Sequence, residues 1–553
     1  MNDFKKSALA GIDYLDKVFT VPEAPDSTLG QIEQGISEDL TGFLQDNIVA
    51  VEKDLDELEL DFADSTIPEE PMFVSEQTEF LMNKLVSQSV HTASPSFIGH
   101  MTSALPYFML PLSKIMMALN QNLVKIETSK AFTPMERQVL GMIHGLVYQQ
   151  GEAFYQKYMH SSNNSLGAFC SGGTVANLTA MWVARNSTFA PDGDFLGIEN
   201  AGVYNAFRHY GCEGAAILVS QRGHYSLDKA SSVLGFGRDS IVGIPTNEHG
   251  QIDVTVLEAE CQRLSSNNIK IVSIVGVAGS SETGSVDDLI KIAEISKKYS
   301  AHFHVDAAWG GPTLFSKKYS PILKGIELAD SVTIDAHKQL YVPMGAGMVV
   351  FKDPTSIAKI EHHAEYIIRK GSKDLGSHTL EGSRSGMAML VHSGLKIIGR
   401  KGYELLIEQG IDKAKTFADM IEDNPNFELM TAPQLNILTY RYVPDFAKQA
   451  LDKAVAENNE LLIEKINQEL NKFTKFLQKL QRASGRSFVS RTKIPIHRYG
   501  GSSITVFRVV LANPLTHLTI LKDILEEQTT IAQSKEAEPY LNAAHDLLKK
   551  SVQ

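Results

Sequence analysis

The sequence predicts an α/β protein whose large domain holds a mostly parallel β-sheet, preceded by a helical N-terminal segment and followed by a small α+β domain. Three observations carry this expectation: a central region of apolar runs alternating with helical stretches, an acidic helical stretch ahead of it, and a change of pattern beyond about residue 396. The central runs are AAILVS (215–220), IVGIP (241–245), KIVSIVGVAG (270–279), HFHVDAA (302–308), SVTIDAH (331–337) and MVVFKD (348–353). Apolar, β-branched strands with helices between them belong to a sheet covered on both faces, and ligands bind such sheets at the carboxyl ends of the strands. Residues 1–90 read as helices in a polar setting, with the acidic run 52–64 followed by a breaker at Pro68-Glu69-Glu70-Pro71. That run is a solvated helix face or an arm that clasps a second subunit. After residue 396 come a long charged helix over 446–483, two β-rich runs (FELMTA and SITVFRVVL) and a closing helix. The parts are therefore 1–90, 91–395 and 396–553, with no internal repeat.

Composition narrows the function. A chain of 553 residues with 43% hydrophobic and 21% charged residues is that of an ordinary globular protein. The formal net charge of -13 argues against nucleic acid or an anionic membrane as partner, so an anionic substrate needs a local basic pocket. Cys170, Cys212 and Cys261 are too few and too far apart for a disulfide framework or a zinc pattern, and free thiols fit a reducing compartment. The opening MNDFKKSALAGIDYLDKVF has no signal-peptide core, and no run of 18 apolar residues occurs. The expectation is a cytoplasmic protein without a metal.

Chemistry-bearing residues gather at the predicted strand ends. SVTIDAHK places Lys338 just past an apolar strand, with His337 beside it. Taken alone, such a lysine is a surface charge. HFHVDAAWGG, however, sets Asp306 at the end of another strand, followed by Ala307, Ala308, Gly310 and Gly311, which leave room for a flat ring against the backbone. An aspartate there is a helix cap or the partner of a protonated pyridine nitrogen, whose ring then accepts electrons from a breaking bond. SGGTVANLTAMWVAR reads as a glycine turn opening a helix, where the N–H groups of Gly173 and Thr174 and the helix dipole suit a phosphate. QRGHYSLDKAS offers His224 as a plate over a ring.

SGGTVANLTAMWVAR, SQRGHYSLDKA, HFHVDAAWGG and ADSVTIDAHKQL, in this order, resemble the signature segments of the group II pyridoxal-phosphate (PLP) dependent amino-acid decarboxylases, and VHTASPSFIGHMTSALPYF and TSKAFTPMERQVL are similar to bacterial aspartate 1-decarboxylases. The resemblance implies the fold type I PLP-dependent transferase architecture (aspartate aminotransferase-like) and a homodimer with its active site at the interface. It implies that Lys338 binds the cofactor aldehyde covalently, Asp306 pairs with the ring nitrogen, His224 stacks on the ring and Ala308 packs on its other face. Gly173, Thr174, Ser331 and His337 would surround the phosphate, and Arg384 would grip a substrate carboxylate. Phe97 and His100 would line the substrate side, with residues 91–140, including Asn120 and Asn122, partly facing the neighbouring cofactor. The implied reaction is decarboxylation of an L-amino acid, with aspartate to β-alanine first, glutamate to 4-aminobutyrate second, and cysteine sulfinate or tyrosine behind.

Three departures qualify the match. Many relatives return a proton to the substrate from a loop tyrosine, and none lies between Arg369 and Arg384, which leaves His378, Lys338 or a partner's tyrosine. Val277 stands where a threonine is common, and Gly99-His100 replaces amide residues typical of glutamate decarboxylases. A PLP aminotransferase is the alternative of a different class, but it usually carries an arginine shortly after the lysine, and QLYVPMGAGM has none. A non-catalytic PLP-binding regulator is a third reading, opposed by the intact Lys338, Asp306 and Arg384.

Overall fold

The computed structural model describes residues 28–38, 53–363 and 371–551. The opening segment MNDFKKSALAGIDYLDKVF and the start of the stretch at Arg369 lie outside the described residues. Among the described residues the large sheet has seven strands: β1 (Gly167–Cys170), β2 (Gly214–Ser220), β3 (Ile241–Ile244), β4 (Ile269–Val277), β5 (His302–Asp306), β6 (Ser331–Asp335) and β7 (Gly347–Phe351). Their order is β1-β7-β6-β5-β4-β2-β3, and only β7 runs antiparallel to its neighbours. The mostly parallel sheet expected from the apolar runs is therefore present. β1 has no counterpart among the apolar runs because its four residues, GAFC, are too short to stand out as one.

Side-chain alternation explains why these strands are apolar on both faces. Along β2, Ala216 and Leu218 enter one core with Val139 and Ile143 of helix α1 (Phe132–Tyr148), whereas Ala215, Ile217 and Val219 enter the other with Ala180 and Met181 of helix α2 (Gly173–Thr188). Helix α3 (Ser226–Val233) follows β2 on the α2 side. All loops that leave β2, β4, β5 and β6 at their carboxyl ends thus converge on the start of α2.

The small domain differs from the sequence expectation in two ways. Its sheet has four antiparallel strands, β8 (Phe427–Thr431), β9 (Ile437–Tyr442), β10 (Ser490–Ile496) and β11 (Ser502–Val510), ordered β10-β11-β9-β8. The β-rich runs in the sequence correspond to β8 and β11 alone, because β9 carries Thr439 and Arg441 and β10 carries Arg491, Thr492 and Lys493, which break up their apolar patterns. The long charged helix is two helices, Asp445–Ala456 and Glu460–Ser484, separated where Asn458 takes φ 51° and Asn459 caps the second through Leu462 N–H (3.1 Å).

The large part was expected to begin at residue 91, yet the segment around Ile98 docks on the small domain. Ile98 is buried among Phe417, Tyr440 and Val509, its carbonyl accepts Val510 N–H (2.7 Å), and its N–H reaches Phe488 O (3.0 Å). The N-terminal part contains helices Thr28–Glu38, Leu55–Leu60 and Val74–Lys84, and Leu55, Leu60, Phe62 and Ile67 are exposed.

Arg441 is wholly buried and donates through Nε (2.9 Å) and Nη2 (2.8 Å) to Glu428 and through Nη1 to Asn467 (2.8 Å). Removing one partner strands a buried charge, so Glu428→Ala is expected to cost about 3–5 kcal/mol. Urea unfolding followed by near-UV circular dichroism measures it, and a cost below about 1 kcal/mol, typical of an exposed pair, would contradict this account.

Candidate active site

The carboxyl ends of β2, β4, β5 and β6 and the first turn of α2 enclose a cavity of about 330 Å³. Of the residues singled out from the sequence, Lys338, His337, Asp306, Ala308, His224, Gly173 and Thr174 line it. They come from segments far apart in the chain, brought to one edge because parallel strands all end there.

Lys338 Nζ lies 3.1 Å from Asp335 Oδ2, and His337 Nε2 lies 3.7 Å from the same oxygen. His337 Nδ1–H donates to Ala346 O (2.9 Å), which fixes the ring. Asp335 Oδ1 is buried without a hydrogen-bond partner. The chain closes tightly around this carboxylate: a Cβ on Gly173 would stand 2.7 Å from Asp335 Oδ2, and one on Gly347 would stand 2.6 Å from Oδ1. Only residues without side chains let α2 and β7 approach so closely. Asp306, at the last position of β5, accepts from Ala308 N–H (3.2 Å) and from Asn177 Nδ2 (2.9 Å). His224 accepts at Nδ1 from Ser226, and burial holds its imidazole below the usual histidine range while Asp306 pulls the other way.

Other expected residues are elsewhere. Ser331 opens β6 and therefore sits at the amino end of the sheet, opposite the cavity, where its hydroxyl is bonded to His302 (2.7 Å) and His304 (2.8 Å). It cannot belong to the phosphate shell. Arg384 makes a two-pronged buried pair with Glu136 of α1, and neither residue lines the cavity. His378 is buried against Ser377 (2.6 Å), burial brings its pKa down to about 4, and it too is absent from the cavity wall. Phe97 stacks on Phe488 with ring centroids 4.7 Å apart, beside His100, whose protonation is opposed first by partial burial and then by Arg508.

Four residues of the region were not anticipated. Asn177, Asp335 and Arg222 line the cavity, Arg222 held by Glu282, whose other oxygen accepts from Thr492 of the small domain (3.2 Å). Arg508 donates to Gly99 O (3.0 Å), has its Nε unpartnered, and meets no carboxylate at ion-pairing distance among the described residues. A lone arginine within the apolar run SITVFRVVL was the available signal. Tyr366 stands three residues ahead of Arg369 in the sequence and lies outside the described residues.

Residues 57–443 match the family model described as the pyridoxal-dependent decarboxylase conserved domain. The chain belongs to this family. It is 59% identical over 538 residues to an aspartate 1-decarboxylase of Aliivibrio fischeri, covering 97% of this chain and 98% of that one. An L-2,4-diaminobutyrate decarboxylase of Acinetobacter baumannii is 27% identical, over 68% of this chain and 72% of its own. The crystal structure of mouse CSAD has the same fold, with a TM-score of 0.77 at 22% identity over 92% of this chain and 98% of that one. The protein is therefore a pyridoxal-phosphate-dependent amino-acid decarboxylase of fold type I.

The residues present suit that cofactor. The cavity joins an amine for its aldehyde, a buried carboxylate for its ring nitrogen and the N–H groups opening a 16-residue helix for its phosphate. The glycine cradle gives a direct test: Gly173→Ala puts a methyl group against Asp335 Oδ2. The expected result is cofactor binding weaker by about tenfold or more with the far-UV circular dichroism unchanged. Wild-type affinity in a fluorescence titration of cofactor-free protein would show that the close approach is dispensable.

Proposed function

We propose that this decarboxylase converts L-aspartate to β-alanine and carbon dioxide. The observation that carries the reading is the near-full-length 59% identity to the Aliivibrio fischeri aspartate 1-decarboxylase. Glutamate, cysteine sulfinate and tyrosine have no comparable support.

When bound, pyridoxal phosphate supplies an electron sink for the pair released as the bond from Cα to the carboxylate breaks. Lys338 Nζ would anchor the cofactor aldehyde, its present partner Asp335 holding it at the cavity floor at 3.1 Å. Asp306 would keep a proton on the ring nitrogen, while His224 and Ala308 cover the ring. Gly173 and Thr174 would hold the phosphate through their N–H groups, with His337 beside them. For the substrate carboxylate, Arg508 replaces Arg384 in this reading: both lie outside the cavity lining, but Glu136 pairs with the Arg384 guanidinium at both ends, whereas Arg508 makes no ion pair among the described residues and feels Glu282 only as a more distant charge. A guanidinium can grip a carboxylate with two parallel hydrogen bonds, which an ammonium cannot. The proton returned to Cα would come from Lys338 Nζ or from the phenol of Tyr366, since His378 is buried away from the cavity.

A homodimer accompanies this reading. Helix Met109–Leu119 leaves Ile115 and Leu119 exposed one turn apart, an apolar face that a second copy would cover, and Phe97 and His100 would then serve the neighbouring cavity. A cytoplasmic location fits the three free thiols; Cys170 and Cys261 are buried, and burial pushes both thiols up to about 12. No helix among the described residues is long and apolar enough to cross a membrane.

Carbon dioxide release from a panel of aspartate, glutamate, cysteine sulfinate and tyrosine tests the substrate, with aspartate expected to lead in kcat/KM by about tenfold or more. A lead for another acid would sink the aspartate reading and keep the decarboxylase. Arg508→Lys is expected to raise KM for aspartate about tenfold or more. Arg384→Met should act instead on stability, by leaving Glu136 buried and unpaired. If Arg384→Met raised KM and Arg508→Lys did not, the assignment of the two arginines would be reversed.

A further inference from the structure

Behind the cavity lies a chain of buried hydrogen bonds whose direction can be worked out from one end. Asp306 Oδ2 is an acceptor, so the nitrogen of the Asn177 amide must face it, as it does at 2.9 Å. The second proton of that nitrogen goes to Ser226 Oγ (3.0 Å). Ser226, having accepted, gives its own proton to His224 Nδ1 (2.8 Å), where the Ser226 backbone N–H also points (3.3 Å). Two donors on Nδ1 leave the ring proton of His224 on Nε2. On its other side the Asn177 oxygen accepts from His304 Nε2 (3.1 Å), so Nδ1 of the neutral His304 accepts from Ser331 (2.8 Å), and Ser331 in turn accepts from His302 Nε2 (2.7 Å). Burial lowers the pKa of both His304 and His302 and keeps them neutral. Every hydrogen-bonding atom of the Asn177 side chain is used, and the residue is only 1% exposed.

We propose that Asn177 is a positioning residue for the decarboxylation: one amide both holds the Asp306 carboxylate in place and, through Ser226, fixes His224 as the Nε2–H tautomer. The inference rests on the cofactor roles given above to Asp306 and His224. Charged groups facing the His224 ring are Asp306, Asp335, Lys338 and Lys229, and none of them supplies the donors at Nδ1.

Asn177→Asp keeps the side-chain shape but replaces the donor nitrogen by an acceptor opposite Asp306. Pyridoxal phosphate binding to cofactor-free protein, followed by fluorescence, is expected to weaken about tenfold or more. The pH titration of the bound cofactor's absorbance should shift as well. Ser226→Ala cuts the Asn177–Ser226–His224 arm while leaving the Asn177 bond to Asp306, and carries the test if Asn177→Asp does not fold. Its cofactor affinity should stay within about twofold of wild type, while the acid limb of kcat/KM moves to higher pH, since losing a donor at Nδ1 eases protonation there. Wild-type affinity and titration in Asn177→Asp, or an unmoved acid limb in Ser226→Ala, would overturn the proposal. Asp306→Asn and His224→Phe separate the two levels: if both keep wild-type affinity and turnover, the underlying roles fail and the inference falls with them.

Discussion

The side chain of Asn177 reaches from the first turns of α2 to the end of β5 and joins two elements that approach from different parts of the chain. A polar group at a helix position otherwise facing an apolar core is costly unless every donor and acceptor is met. Here Asp306, Ser226 and His304 meet all of them, so α2 has one rotation and one depth at which it can pack. The same placement brings Gly173 and Gly347 against Asp335. The architecture of the cavity and the register of α2 on the sheet are thus the same constraint seen from two sides.

Buried charge is handled in a consistent way elsewhere. Arg384 with Glu136 and Arg441 with Glu428 form buried pairs, the first with one N–H on each carboxylate oxygen and joining the loop after residue 371 to α1, the second with two N–H groups on one oxygen and crossing between two strands of the small sheet. Such pairs contribute little beyond an apolar replacement but are expensive to break from one side. They pin elements rather than add to the driving force. Arg508, like Arg137, departs from this pattern, since a backbone carbonyl is its main partner. A buried guanidinium that keeps hydrogen-bonding capacity in reserve is suited to receive an anion, which is why Arg384 and Arg508 separate so clearly in the folded chain although they look alike in the sequence.

The two domains share a hydrophobic core, with Leu435, Ile437 and Val510 packed into that of the large domain, and two further links reach the cavity wall and the segment ahead of it. Glu282 bonds Arg222 on the cavity wall and Thr492 of β10, and the segment at Ile98 crosses into the small-domain core. The glycine at 99 is required there: a Cβ would stand 2.5 Å from the Phe488 ring. Substrate access is therefore shaped by both domains, although the residues proposed to hold the cofactor belong to the large one.

By itself the sequence determined the alternation of strands and helices, the identity of the lysine, the aspartate and the glycine turn, and their convergence, because parallel strands with covering helices must all end on one edge. Lys338, Asp306, Gly173, Thr174, His224, Ala308 and His337 could be placed together on that ground alone. What the tertiary structure decided was partnership. Ser331 and Lys338 are a few residues apart yet lie at opposite ends of β6, and the hydroxyl belongs to the histidines beneath. Arg384 is claimed by Glu136 and Arg508 is not. Asn177 reads as one polar residue in a helix until His304, Ser226 and Asp306 surround it. Periodicity reports burial and direction along one element, but which buried polar atom answers another depends on packing between elements distant in the chain, and no local pattern encodes it.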